Sequence, residues 1–422
     1  MRSILLGLSL IIGGQVLAQD LVLDEKAVID LALKRNEAIG ISKAELEIAK
    51  KKVDSAYSNL FPTMSASAIL QKSKISGNIS GSSDNWVDTG SLQVTQPLYT
   101  FGKISTAIDI AKVSKGLSRD KQLATKAEIE NVSKKLFYSV LYAKELVKIT
   151  NDSYQNALKN KQTLERRVSY GRISRNDNLK MQADLASRMP RLVDAKKNFE
   201  LNKFELKNFL ALESDFKVSG DLSNNQLEKK ESPKSDSIDE IADVKILKKS
   251  LEISDLSVEL SKAQRLPDLG AFASFSPTHL RNDAFGSEVA NKEESAVGLS
   301  LTFDWPFGGS KNDAVEIKKI EKRVAALRLQ EGKRSIKTQI DKINVQLESL
   351  KMKLDSEKRA VKLAESSYKV ALGAFATGAV SQLQLNDSEL LLTQNKLSLA
   401  GTLFEYMSVL SDLERLLVKG ER

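Results

Sequence analysis

The 422 residues carry a net charge of +9, no cysteine and 41% hydrophobic side chains. That hydrophobic share excludes a disordered chain, and the lack of cysteine leaves no disulfide framework and no thiol for a lipid anchor. Lys and Arg are scattered among Asp and Glu instead of gathering in one patch, so the excess reads as a solvated helical surface and not as a nucleic-acid footprint.

In chain order, Met1-Arg2-Ser3 is a short basic start and Ile4 to Ile12 an apolar run too short to span a bilayer. Val16-Leu17-Ala18 then fits a signal-peptidase site, which predicts a mature chain beginning near Gln19. Leu23 to about Leu60 reads as one helix, with Val28, Leu31, Ile39, Leu46, Val53 and Tyr57 on its apolar side, ended by Phe61-Pro62. Met64, Ala66, Ala68 and Leu70 alternate with small polar residues and predict a strand. Ser73 to Asp88 is rich in Ser, Gly and Asn and reads as a loop. A second strand, Asp88 to Leu98, leads into Gln96-Pro97-Leu98-Tyr99-Thr100-Phe101-Gly102-Lys103. There Pro97 suits a strand end and Gly102 a sharp turn. From Lys103 to Tyr170 there is no proline and the apolar spacing is helical, which predicts a helix about 100 Å long. No ordinary globular core holds such a helix, whereas a coiled coil or helical barrel does.

Gly171-Arg172-Ile173-Ser174 breaks that helix, and a return helix runs from Arg175 to about Leu212 through Pro190, where a kink is expected. Residues 213–237 read as a polar linker. The same grammar then repeats: a helix from Ile238 to Arg265, a strand from Leu269 to Ser276, and a loop from Thr278 to Glu294. The strand Val297 to Trp305 comes next, then the junction Pro306-Phe307-Gly308-Gly309. A long helix follows from Ser310 to about Phe375, with Ile336, Ile340, Ile343, Leu347, Leu350 and Leu354 forming a heptad seam. Gly378-Ala379-Val380-Ser381 breaks it, and a last helix runs to about Val418. Gly102 and Gly309, Gly171 and Gly378, and Ser174 and Ser381 are each 207 positions apart, so the chain holds two structural repeats. This divides it into a signal peptide over 1–18, a first repeat over 19–212, the linker over 213–237 and a second repeat over 238–422.

Four strands per chain cannot close a membrane barrel, whose smallest common form has about eight, and an open edge is not tolerated in lipid. Closure therefore demands several chains; three would contribute twelve strands. Tyr99, Phe101, Trp305 and Phe307 stand at the strand ends, where an interfacial aromatic belt would lie. The alternative from these residues is a soluble sheet beside a coiled coil, that is, a periplasmic or surface scaffold without a pore.

The signal peptide, the Gln-Pro-Leu-Tyr-x-x-Gly junction, the paired Gly-x-x-Ser turns and the repeat together resemble the TolC family of outer-membrane efflux proteins over nearly the whole mature chain. The resemblance implies an α+β membrane protein: long coiled helices forming a periplasmic α-barrel, plus four strands per chain in a homotrimeric twelve-stranded β-barrel. It further implies a passive duct in the outer membrane of a Gram-negative bacterium. Such a duct receives cargo from the periplasm or an inner-membrane transporter through a periplasmic adaptor, in tripartite efflux or type I secretion.

Gly171 and Gly378 suit the left-handed position that ends a helix, and Ser174 and Ser381 the N-cap of the next. The resemblance adds a contact role for the adaptor at these turns. It also implies that Asp177 and Asp387 help form the periplasmic entrance. There the chain departs from the family: Gln384 stands in place of another aspartate, and Phe375 and Val380 replace the tyrosine and arginine of the gate's hydrogen-bond links. The strand–helix junctions are assigned to Pro97, Gly102, Pro306 and Gly309. No catalytic constellation, phosphate-binding glycine loop or cofactor motif is present, and the one histidine, His279, is expected in an exposed loop.

Overall fold

A computed structural model describes residues 21–77, 81–169, 175–222, 238–281, 288–304 and 306–420. The expected signal peptide lies outside them. The elements run β1 (Leu21–Leu23), α1 (Glu25–Arg35), α2 (Glu37–Ser58), β2 (Thr63–Gly77), β3 (Gly81–Tyr99), α3 (Lys103–Ser169), α4 (Arg175–Phe209), β4 (Phe216–Val218), α5 (Ala242–Ala263), β5 (Asp268–Arg281), β6 (Glu288–Thr302), α6 (Ser310–Thr377) and α7 (Gln382–Leu416). The repeat persists at the level of elements: α3 and α6 start at 103 and 310, α4 and α7 at 175 and 382, each pair 207 positions apart.

The chain forms two compact units, to which both repeats contribute. The first comprises Met1–Asn36, Ile129–Glu231 and Gln346–Ser411, and the second Glu37–Glu128, Ser232–Val345 and Asp412–Arg422.

In the first unit, β1 pairs in parallel with β4. The segment expected to be plain linker therefore holds a strand, and the segment expected to be one helix from Leu23 opens as a strand. That helix is also split. Asp24 caps α1 by accepting from the Ala27 N–H at 2.7 Å, and Asn36 ends it in an extended conformation (φ −66°, ψ 129°). The Asn36 and Arg35 side chains donate to the carbonyls of Phe209 and Ala211, each at 3.4 Å, so the break is fixed by the end of α4. The phenol of Tyr138 on α3 donates to Glu25 at 2.8 Å, and Tyr142 stacks on Phe404 of α7 at 5.2 Å between ring centroids. α4 runs without interruption through Pro190.

The second unit holds a four-stranded antiparallel sheet in the order β2-β3-β5-β6. The strands reach further than the sequence predicts: β2 continues to Gly77 and β3 starts at Gly81, while β5 continues to Arg281 and β6 starts at Glu288. Polar composition read as loop is compatible with strand when a partner supplies the ladder. β6 ends at Thr302, short of the expected Trp305, which lies outside the described residues. Register gathers the apolar residues on one face. Leu301 lies opposite Leu269, Leu299 opposite Ala271 and Val297 opposite Ala273. Phe275 then faces Leu92, Ala273 faces Val94, and these in turn face Ala66 and Met64. Val297, Leu299 and Leu301 are 87%, 70% and 69% exposed, so nothing among the described residues covers this part of the face. The opposite face carries Ser65, Ser67, Ser91, Gln93, Thr95, Ser274 and Ser300, with Phe272 laid over Gly298 and Ile69, Val87 and Leu280 further along as apolar members. Further along the apolar face the character changes. His279, inside β5 and not in a loop, lies 2.7 Å from Asn291, and Arg281 pairs with Asp88.

The helices of this unit meet along the predicted heptad seam. Ile336, Ile340 and Ile343 of α6 pack with Val244 of α5 and with Ile241 and Leu416. An ion pair joins α3 to α5: Lys249 Nζ donates to Asp120 at 2.6 Å and to the Gly116 carbonyl at 3.2 Å. The Asp120 side chain is fully buried. Replacing Lys249 with Met removes that cation and is expected to cost about 1–3 kcal/mol, the range for losing a hydrogen bond to a buried charged group. Thermal unfolding followed by circular dichroism measures the loss, and Asp120→Asn added to Lys249→Met should recover most of it.

Candidate functional site

The candidate site is the turn between α6 and α7, in the first unit. Gly378 has φ +86°, the left-handed position predicted for it, and its N–H donates to Phe375 O at 3.1 Å. Ser381 is the N-cap of α7. The Gln384 N–H donates to Ser381 Oγ at 3.3 Å, and the Ser381 N–H donates back to Gln384 Oε1 at 2.8 Å. This is a capping box, and it gives a local structural role to the glutamine at a position where the family resemblance leads one to expect an aspartate: its side-chain oxygen closes the helix end. The matching Gly171 and Ser174 lie outside the described residues. Asp177 falls in the first turn of α4.

Beneath the turn, Phe375 is buried with Met181 of α4 and Leu385 of α7, and Tyr368, Ala371 and Val380 pack against them. The Phe375 ring thus fills the space between three helices. Asp387, two residues beyond Leu385 of this cluster, is exposed. It is the carboxylate that the turn presents to solvent in the described part of α7.

The next layer contains a polar cluster that sequence reasoning missed. Arg188 of α4 pairs with Glu389 of α7; their side chains are 8% and 3% exposed. Arg188 also donates to Asp184 at 2.9 Å and to Ser153 Oγ of α3 at 2.8 Å, and Thr393 donates to the second Glu389 oxygen at 3.0 Å. Burial raises the Tyr368 phenol above its usual pKa, and the Glu389 carboxylate adds to the rise, against the Asn160 hydrogen bond and the Arg188 charge. Tyr368 therefore stays neutral at physiological pH. The signal for this cluster is in the spacing: Met181, Arg188, Leu192 and Ala195 share one buried stripe of α4, and Leu385, Glu389 and Leu392 one of α7. Each stripe holds one charge, of opposite sign.

The strand–helix junctions lie in the second unit. The register of β3 and β5 shifts by one residue between Pro97 and Tyr99, so Pro97 stands where the ladder is interrupted and lacks no bond for want of an N–H. The Lys103 N–H then donates to Thr100 O at 3.0 Å across a turn whose central residues, Phe101 (φ +50°) and Gly102 (φ +87°), are both left-handed. A phenylalanine in that region is strained, and its ring is held edge-on to Tyr99 at 4.6 Å between centroids. At the second junction the Gly309 N–H donates to Pro306 O at 3.3 Å with φ +75°, and Phe307 is fully exposed. Among the described residues no helix is long and apolar enough to cross a membrane, and no group of three or more His, Asp or Glu could hold a metal ion.

Arg188→Met is expected to destabilise the first unit by about 3–5 kcal/mol, because Glu389 is left buried without its cation. Limited proteolysis between α6 and α7 would read this as faster cleavage. Arg188→Met combined with Glu389→Leu should slow cleavage again, whereas a purely volumetric role for Arg188 predicts that Glu389→Leu makes no difference.

Comparison with known proteins gives three findings. The chain matches the outer membrane efflux protein family model over residues 28–211 and 239–417. No curated protein matches it. Its fold is similar to the CmeC outer membrane channel of Campylobacter jejuni at 16% identity and a TM-score of 0.80, covering 93% of this chain and 85% of that one. It is also similar to the outer membrane protein VceC of Vibrio cholerae at 16% identity and 0.77, covering 94% and 97%. A third similarity is to the open state of the MtrE outer membrane channel of Neisseria gonorrhoeae at 17% identity and 0.77, covering 94% and 89%. With matches across both repeats, this chain belongs to the outer membrane efflux protein family, the α+β channel proteins of the Gram-negative outer membrane.

Proposed function

We propose that three copies of this chain form a passive channel-tunnel that carries cargo outward from the periplasm or from an inner-membrane transporter, with a periplasmic adaptor completing a tripartite efflux or type I secretion system. The observation that supports this most is the sheet. Among the described residues it has one bare apolar face, one largely polar face, and edges at β2 and β6 with no neighbouring strand. In a twelve-stranded barrel the apolar face meets lipid, the polar face lines water, and β6 of each copy pairs with β2 of the next. Tyr99, Phe101, Trp305 and Phe307 then form the aromatic belt.

In this reading the turns at Gly171, Ser174, Gly378 and Ser381 are the adaptor's contact points, and Asp177 and Asp387 line the entrance with Phe375 and Gln384 supporting them. The capping box keeps Gln384 occupied, and Phe375 supports from within the helix packing. Asp387 thus supplies a ring of three carboxylates under threefold symmetry, a cation trap.

The native mass of the mature protein extracted from outer membranes in mild detergent tests the assembly. A trimer is expected. A monomer or dimer, or recovery without detergent in the soluble periplasmic fraction, would replace the channel with a scaffold. For the entrance, single-channel recordings of Asp387→Ala should show weaker block by divalent or trivalent cations, and unchanged block would remove Asp387 from the pore.

A further inference from the structure

The apolar face of the sheet continues past the strand ends toward the helices. Register puts Tyr99 of β3 and Leu301 of β6 on either side of Leu269 of β5. Two residues further along each chain segment come Phe101, Phe303 and Pro267. These three, with Leu266, wall a groove of about 760 Å³ whose remaining sides are Thr106 of α3 and the last turn of α5. Phe303 and Leu266 are exposed and Phe101 is partly so. The end of α5 brings Glu259 and Lys262 to the groove, and the turn after it brings Arg265.

The charges here are not consumed by the fold. Lys103, at the same level, is bound to the Leu266 carbonyl at 2.9 Å and to Asp268 at 2.7 Å. Lys262 and Arg265, by contrast, have no ion pair among the described residues, and neither does Glu259. Two free cations, one carboxylate and four apolar side chains therefore share one groove directly beneath the lipid-exposed face. At this depth a bilayer changes from acyl chain to glycerol ester to phosphate, the same order in which the groove changes from aromatic to basic. A guanidinium offers a phosphate a two-pronged contact, and a lysine can extend its stem along apolar surface while its ammonium reaches the headgroup. A groove of this volume is in the range of a small-ligand site.

We propose that this groove holds one glycerophospholipid of the periplasmic leaflet per chain. The glycerol and upper acyl chains lie against Phe101, Leu266, Pro267 and Phe303. Lys262 and Arg265 meet the phosphate, and Glu259 accepts hydrogen bonds from a primary ammonium, which makes phosphatidylethanolamine the favoured class. The site lies where the apolar face runs out, at the start of β5 and just past the end of β6. It rests on the trimeric barrel reading, and one experiment separates the two.

Native mass spectrometry of the full chain in mild detergent, with phosphatidylethanolamine or phosphatidylglycerol added, reads both subunit number and bound lipid. The wild-type trimer should retain up to three phosphatidylethanolamines, and fewer phosphatidylglycerols. Lys262→Gln with Arg265→Gln should lower the bound fraction of both by about tenfold while the trimer mass persists, as expected when charge-assisted contacts are lost. Glu259→Gln should keep lipid binding but lose the preference for phosphatidylethanolamine. A wild-type trimer carrying no more lipid than the double variant overturns the site and leaves the channel reading standing. An unchanged preference in Glu259→Gln overturns the ammonium contact. Absence of any trimer overturns both.

Discussion

The structure depends on an unmet hydrogen-bonding requirement. The sheet satisfies its ladder internally from β2 to β6 and leaves both outer edges without a neighbouring strand among the described residues. Beside water such edges are a liability; beside hydrocarbon they are not tolerated, because no solvent replaces the missing bonds. The bare apolar face adds a second requirement, since Val297, Leu299 and Leu301 need an apolar medium and the chain gives them none. Both needs are met by the same arrangement, closure with other copies inside a membrane. The junctions reflect it too. The register shift at Leu98 returns Tyr99 to a position opposite Leu269, and the left-handed pair at Phe101 and Gly102 turns the chain sharply from strand into helix.

Within the helical parts, charges of opposite sign pair in seams that are mostly apolar: Asp120 with Lys249 in one unit, Arg188 with Glu389 in the other. Such pairs add little net stability, because desolvation offsets most of the attraction. Their effect is on choice among alternatives. Long helices with heptad seams can slide by one heptad at modest apolar cost, but a slide that parts a buried pair strands two charges. A charged pair at a seam position thus acts as a register mark, and such a pair occurs in each unit.

Much of this was legible in the residues. Strict alternation from Val297 onward placed β6, the absence of proline after Lys103 gave α3, and the apolar spacing after Ile336 gave the buried seam of α6. Gly378 and Ser381 were readable as a stop and a start because their roles are local, set by one φ angle and one side-chain hydrogen bond. Where the sequence misled, a distant partner was responsible. Asn36 breaks what reads as one helix because the end of α4 binds its side chain, and the Ser- and Asn-rich stretches after Lys72 extend as strands because a neighbouring strand lies alongside.

By itself, then, the sequence determined the elements, their twofold repetition and the family, since periodicity, turn chemistry and spacing act over a few residues at a time. Only the tertiary structure decided which residues those elements bring together. The pairing of Arg188 with Glu389, the enclosure of Phe375, and the meeting of Lys262 and Arg265 with Phe101 and Phe303 all join positions through space. They follow from helix phase and strand register summed over tens to hundreds of residues. A single residue's change of phase would part them without altering any local pattern.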